Sequence, residues 1–308
     1  MPAQSHPYAS DTSIRVPALF APGIVSTMDR ETGITFSPDG KTVYFSKWSS
    51  DFRKVFICES KYKNGKWQKP TIATFSGRYR DQQPFISPDG KKLFFISNRP
   101  VMEKDTVPFR VDIWYVEKIK GNKWGNAKWL GYPVNRARYI HYSPSVAANG
   151  NIYFSAQRAG DTVRKTQIYY CEFINGNYNT PVTMEEKTIN TSSEENHVYI
   201  SPDENLMFFT SNSRPGGFGG EDILITTRKN NQWQAARFLD TLINTKEQEY
   251  LPSISPDGKY FFFSAIKQKT LAWEDKTYNY SEFIKMLRGP MNGQTDIYQV
   301  ELKWVLRE

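Results

Sequence analysis

Ser37-Pro38-Asp39-Gly40 recurs as Ser87-Pro88-Asp89-Gly90 and Ser255-Pro256-Asp257-Gly258, with degenerate copies at Ala147-Ala148-Asn149-Gly150 and Ser201-Pro202-Asp203-Glu204. Successive copies lie roughly 50 to 60 residues apart, the span of a propeller blade with long loops. Each copy joins a short apolar segment to an aromatic one, namely Val43-Tyr44-Phe45, Leu93-Phe94-Phe95, Ile152-Tyr153-Phe154, Met207-Phe208-Phe209 and Tyr260-Phe261-Phe262-Phe263. Proline fixes φ and Asp-Gly or Asn-Gly accepts tight-turn geometry, so each copy reads as an antiparallel hairpin. A third strand follows at Val55-Phe56-Ile57, Asp112-Ile113-Trp114, Gln167-Ile168-Tyr169, Asp222-Ile223-Leu224 and Asp296-Ile297-Tyr298. A fourth begins near Lys66-Trp67, Lys123-Trp124, Asn177-Tyr178 and Gln232-Trp233, followed by Pro70, Ala127, Pro181 or Ala236.

The fourth strand has one internal copy too few. The missing copy lies at the other end of the chain, where Arg15-Val16-Pro17-Ala18-Leu19-Phe20 aligns with Lys69-Pro70-Thr71-Ile72 and Ala235-Ala236-Arg237-Phe238-Leu239. The expectation is an all-β, five-bladed β-propeller of four-stranded antiparallel blades, closed by an N-terminal strand completing the last blade. Residues 13–308 would form this single propeller, and residues 1–12 a flexible tail. A linear solenoid would need capping repeats, whereas here the two ends complete each other. Within the long insertion 267–295, Tyr280 to Leu287 has apolar residues at helical spacing and reads as a short helix with a Ser cap.

Composition agrees. Aromatic residues make up 15% of the 308, which suits pleated, packed surfaces. The net charge of +8 is not gathered into a Lys/Arg stripe dense enough for nucleic acid, so no nucleic-acid partner is expected. Cys58 and Cys171 fall on different blades and read as buried, inert thiols. No stretch has the ~18 apolar residues of a membrane span, and residues 1–12 lack the apolar core of a signal peptide.

The SPDG hairpins, each followed by a DIY-like strand, resemble the repeats of TolB-like propellers. The resemblance runs from about Ser13 to Val300. It is closest from Ser201 to Asp222, including Ser213-Arg214-Pro215-Gly216-Gly217-Phe218-Gly219-Gly220, and at Leu242-Ile243-Asn244 leading into Glu249 and Ser255-Pro256-Asp257-Gly258. The third blade departs from the pattern by losing the Pro-Asp pair, and the first lacks the Arg that follows the second strand. The resemblance implies a periplasmic or secreted bacterial protein whose leader is not in this sequence. It also implies a protein that binds a protein or peptide segment or a glycan, or that accompanies an enzyme. A monomer is expected.

Ligands favour the face where inner strands enter the ring. Six residues before each hairpin marker stand Glu31, Asp81, His141, Glu195 and Glu249, followed by Thr32, Gln82, Tyr142, Asn196 and Tyr250. Acids on first strands could pair with bases just past second strands, Asp81 with Arg99 and Glu195 with Arg214, while His141 would face Gln157 or Arg158. The candidate ligand-binding residues are therefore Glu31, Asp81, Gln83, Arg99, His141, Tyr142, Arg158, His197, Arg214 and Tyr250. If the chain is an enzyme, Glu31, Asp81, Glu195, Glu249 and His141 are its candidates, since a glycoside hydrolase or lyase needs converging carboxyl groups. No cofactor motif is present; His141 and His197, with Gln83 and a carboxylate, would suit a divalent ion. Trp48, Phe109, Trp273 and Tyr278 could stack on sugars or peptide side chains. Neither a GxSxG nor an HExxH motif occurs, and the glycine run 216–220 leads into a strand, not a helix.

Overall fold

The computed structural model describes residues 7–8, 13–101, 110–160, 165–268 and 277–307. Phe109, Trp273 and most of the expected N-terminal tail lie outside them.

The fold is an all-β propeller built from antiparallel meanders. The first comprises Arg30–Phe36, Thr42–Trp48, Val55–Lys63 and Thr71–Ile72. The second comprises Asp81–Ile86, Lys92–Ser97, Asp112–Ile119 and Lys128–Trp129. The third runs Tyr139–Val146, Ile152–Arg158, Gln167–Cys171 and Val182–Thr183. The fourth runs Glu194–Ile200, Leu206–Asn212, Glu221–Lys229 and Arg237–Phe238. In the last, Gln248–Ile254, Tyr260–Gln268 and Asn292–Glu301 are joined by Ala18–Leu19, with Ala18 opposite Gln299 and Leu19 opposite Tyr298. The N-terminal strand thus closes the last meander, as its alignment with residues 69–72 requires. The Trp dipeptides at 66–67, 123–124 and 232–233 form separate short pairings with the end of the third strand; the outer strands proper follow them.

The hairpin marker folds through local bonds. Ser37 Oγ accepts the Thr42 N–H at 2.9 Å and donates to Asp39 Oδ1 at 2.6 Å, while Asp39 Oδ1 accepts the Lys41 N–H at 3.0 Å. Gly40 takes the left-handed φ of 69° that closes the turn. In the degenerate third copy Asn149 Oδ1 replaces the aspartate, accepting the Asn151 N–H at 3.0 Å. Glu204 holds the glycine position at φ 57°, and its carboxylate ties down Asn149, Asn151 and Tyr153 of the preceding meander.

Apolar clusters fill the seams between neighbouring meanders. The seam joining the last to the first holds Phe20, Phe36, Phe262 and Ile297, and also Tyr8 from within the expected tail, buried to 2% exposure. Cys58 and Cys171 are free, buried thiols, and burial pushes them up to about 11 and about 12 respectively. The helix Tyr280–Leu287 forms as expected, but its N-cap is Asn279, in a capping box with Glu282, because Asn279 precedes the first helical residue and Ser281 lies inside the helix. No helix among the described residues is long and apolar enough to cross a membrane.

First strands of consecutive meanders pack beside one another, and that of the last packs on that of the first. Each carries a bulge at the same position, at Gly33, Gln83, Ser143, His197 and Leu251, with φ of 59°, 55°, 46°, 50° and 53°.

Candidate functional site

The five residues aligned ahead of the hairpins, Glu31, Asp81, His141, Glu195 and Glu249, are all fully buried. Each acid is bonded within its own stretch of chain. Glu31 accepts the backbone N–H and hydroxyl of Thr27 at 3.0 and 2.6 Å, and pairs with Lys47 at 2.7 Å. Glu195 and Glu249 repeat the arrangement with Thr191 and Thr245. Asp81, one methylene shorter, accepts from Ser76 at 2.8 Å, Ser97 at 2.6 Å and Arg99 at 2.7 Å. Arg214 stands 3.9 Å from Glu195. Burial pushes Glu31, Glu195 and Glu249 above the ordinary carboxylate value, and their threonine bonds and nearby cations pull back without cancelling it.

His141 lies opposite Ala156, not Gln157 or Arg158 as counting along the hairpin implies, because this turn is one residue shorter: Val146 pairs with Ile152 where Ile86 pairs with Leu93. Its Nε2 accepts the Arg136 N–H at 3.2 Å, and its Nδ1 lies 3.3 Å from both the Val111 carbonyl and Asp112 Oδ1. The imidazole therefore meets the third-strand aspartate of the preceding meander. Burial pushes Asp112 up, but its bonds to His141, Arg110 and Trp129 outweigh that and hold it below its ordinary value.

At the closing seam the same juxtaposition sets acid against acid. Asp296 Oδ2 accepts the Met291 N–H at 2.7 Å, while Oδ1 is buried without a hydrogen-bond partner. Burial, and then the charge of Glu31, raise Asp296 from 3.8 to about 7. Because the folded value exceeds the unfolded one, the folded state holds the proton more tightly between them. Stability from this group is present at acid pH and is lost as pH rises through about 7. Asp296→Asn, locked in the neutral form, is expected to flatten this slope and to exceed the parent by about 1–3 kcal/mol above pH 8. Denaturant titrations at pH 5 and 8 check it; parallel losses in both proteins would remove Asp296 as the source.

The mouth of the ring is a different set of residues. A cavity of about 350 Å³ is lined by Arg30, Thr32, Trp48, Gln82, Gln83, Tyr142, Gln157, Thr166, Glu194, Asn196, His197, Tyr250 and Leu251. Trp48 Nε1 donates to Thr32 Oγ1 at 3.0 Å. Below it the bulged residues narrow the axis to a void of about 30 Å³. The bulges are laced together: Ser143 donates its N–H to Gln83 Oε1 at 2.7 Å, and its Oγ lies 2.8 Å from His197 Nδ1. Gly33 and Gln83 donate their N–H groups to Ser264 and Ser46 of the preceding second strands, at 3.0 and 2.9 Å. Burial holds His197 below its ordinary value, opposed by Glu221, whose carboxylate lies 3.6 Å from Nε2. At the hairpin end of the axis a wider, more apolar cavity of about 600 Å³ opens between the SPDG turns.

Of the residues singled out from sequence, Thr32, Trp48, Gln82, Gln83, Tyr142, Asn196, His197 and Tyr250 line the mouth. Glu31, Asp81, His141, Glu195, Glu249, Arg99 and Arg214 are absent from that lining, and Arg158 is exposed, paired across the sheet with Tyr139. Both nitrogens of His141 are engaged, and no group of three or more potential metal ligands occurs among the described residues. Arg30, Gln157, Thr166, Glu194 and Leu251 join them. The signal for Arg30, Thr32, Gln82, Glu194 and Asn196 is strand periodicity: residues immediately before and after a buried acid face the opposite side of the strand. Gln157, on a second strand, and Thr166, just before a third, carry no such signal.

No family model matches the chain, and no curated protein matches it. Solved structures do. The chain is similar over 94% of its length to 92% of the protein in a BT0996–RGII complex, at 11% identity and a TM-score of 0.57. An endo-arabinase from Bacteroides thetaiotaomicron VPI-5482 matches at 12% identity and a TM-score of 0.48, covering 79% of this chain and 91% of that one. Puromycin hydrolase matches at 14% identity and a TM-score of 0.43 over 82% of this chain. The chain spans 35% of that hydrolase's length. The first likeness bears on the fold, which is a β-propeller.

Proposed function

We propose that the chain is a five-bladed, TolB-like propeller, spanning residues 13–308, that docks a glycan at the mouth lined by Trp48, Gln82, Tyr142, Gln157, Asn196 and Tyr250. The blade count is supported by the cyclic packing of first strands and by the closing pair Ala18–Leu19 with Tyr298–Gln299. One observation carries the docking reading: amide and hydroxyl side chains from successive meanders converge, with an indole, on a single cavity. Such groups both donate and accept, as sugar hydroxyls demand, and about 350 Å³ suits a small ligand. Placement in the bacterial envelope belongs to the same proposal and draws on the SPDG repeats.

Calorimetry against an oligosaccharide and peptide panel tests it. Trp48→Ala is expected to weaken glycan binding about 10- to 100-fold, and Gln82→Ala or Gln157→Ala about 3- to 10-fold. Absence of glycan binding, or peptide binding that depends on Trp48, would overturn the reading. The hydrolase alternative draws on Glu194, a carboxylate on the cavity wall. New reducing ends released by the parent, and lost in Glu194→Gln, would favour it.

A further inference from the structure

We infer that the sugar accepted at this mouth is an acidic one, whose ring carboxylate is read by Arg30 with Arg80 beside it. The inference rests on the docking reading and narrows it to a ligand class.

Arg30 opens the first strand of the first meander and is half-buried in the cavity wall. Its Nη2 donates to Tyr250 Oη at 2.9 Å, and that hydroxyl is anchored in turn 2.8 Å from Thr295 Oγ1. The guanidinium carbon stands 5.5 Å from the centre of the Trp48 ring and 5.3 Å from that of Phe52. Arg80 brings a second guanidinium to 5.6 Å from the same indole. Among the described residues neither arginine has a carboxylate partner, whereas nearby Lys47 is taken by Asp29 and Glu31. The Nε of Arg30 is buried and makes no hydrogen bond.

A half-buried cation without a counter-charge is poorly neutralised, and a bound anion corrects that. The chemistry selects a carboxylate: a guanidinium set beside aromatic rings and tied to a tyrosine offers planar N–H donors that match a planar, two-oxygen acceptor. Glu194, which opens the first strand of the fourth meander, lies on the same cavity wall, with no side-chain partner among the described residues. It would repel a second carboxylate and accept sugar hydroxyls, so the acid end points to Arg30 and the hydroxyl edge to Glu194.

The test compares galacturonate, glucuronate and sialate oligosaccharides with their carboxyl-reduced counterparts and with a sulfated neutral oligosaccharide, by calorimetry on the full chain. The parent is expected to prefer at least one acidic form over its reduced counterpart by about tenfold or more. Arg30→Gln should erase that preference, and Arg30→Lys should fall between, since it keeps charge but not the fork. Arg80→Gln, at an exposed site, should have a smaller effect that disappears at high salt. Equal binding of acidic and reduced forms would overturn the inference and leave docking intact, as would an undiminished preference in Arg30→Gln or sulfated sugar binding as well as carboxylated. If no member binds, docking and inference fail together. Melting temperatures confirm that each variant is folded.

Discussion

Arg99→Ala is expected to cost about 3–5 kcal/mol of stability, read as a lower denaturant midpoint. Asp81 is fully buried, and Arg99 supplies its counter-charge at 2.7 Å from a side chain only 10% exposed. Arg99 also donates to the Phe75 carbonyl at 3.2 Å, and its guanidinium stands 5.1 to 5.4 Å from the rings of Phe95, Tyr79 and Trp114. Truncation would leave a buried carboxylate with two serine hydroxyls and no cation. The double variant Asp81→Asn/Arg99→Ala should recover much of the loss, because the stranded charge is gone. Arg214→Ala should cost only about 1 kcal/mol: its cation stands 3.9 Å from Glu195, which is already held by Thr191. Equal losses in both single variants would show that ion pairing is not what distinguishes these sites.

Phe20→Ala should cost a similar 3–5 kcal/mol, with its effect concentrated at the closing seam. The Phe20 ring is 2% exposed and meets Phe36, Trp67 and Phe262 edge-on at 5.3 to 5.6 Å. Its backbone N–H donates to the Ile297 carbonyl at 2.9 Å, so the ring pins the strand that closes the last meander. Amide exchange should accelerate most between residues 296 and 300. Val16→Ala, at a side chain 67% exposed, is the control and should stay within about 0.5 kcal/mol of the parent. Uniform acceleration across the chain would mean that the seam does not open on its own.

The hairpins and the closing strand were readable because their determinants are local or repeated. Ser37, Asp39 and Gly40 bond within five residues of one another, and Pro17-Ala18-Leu19 matches Pro70-Thr71-Ile72. The candidate site was legible only by half. Alignment found the repeated acids, but they turn away from the mouth, and strand alternation gives the mouth to their neighbours Arg30, Thr32, Gln82, Glu194 and Asn196. The threonines four residues before Glu31, Glu195 and Glu249 were open to view as Ser26-Thr27, Asn190-Thr191 and Asn244-Thr245. What no count along the chain could supply is the company of His141. Its partner Asp112 arrives from the preceding meander, and only the packing of whole sheets brings the two together.

The bulges at Gly33, Gln83, Ser143, His197 and Leu251 narrow the axis beneath the mouth. A polysaccharide docked as proposed would meet this constriction before it could pass along the axis. It would then present a terminus, a branch or a short side chain, and leave by the way it came.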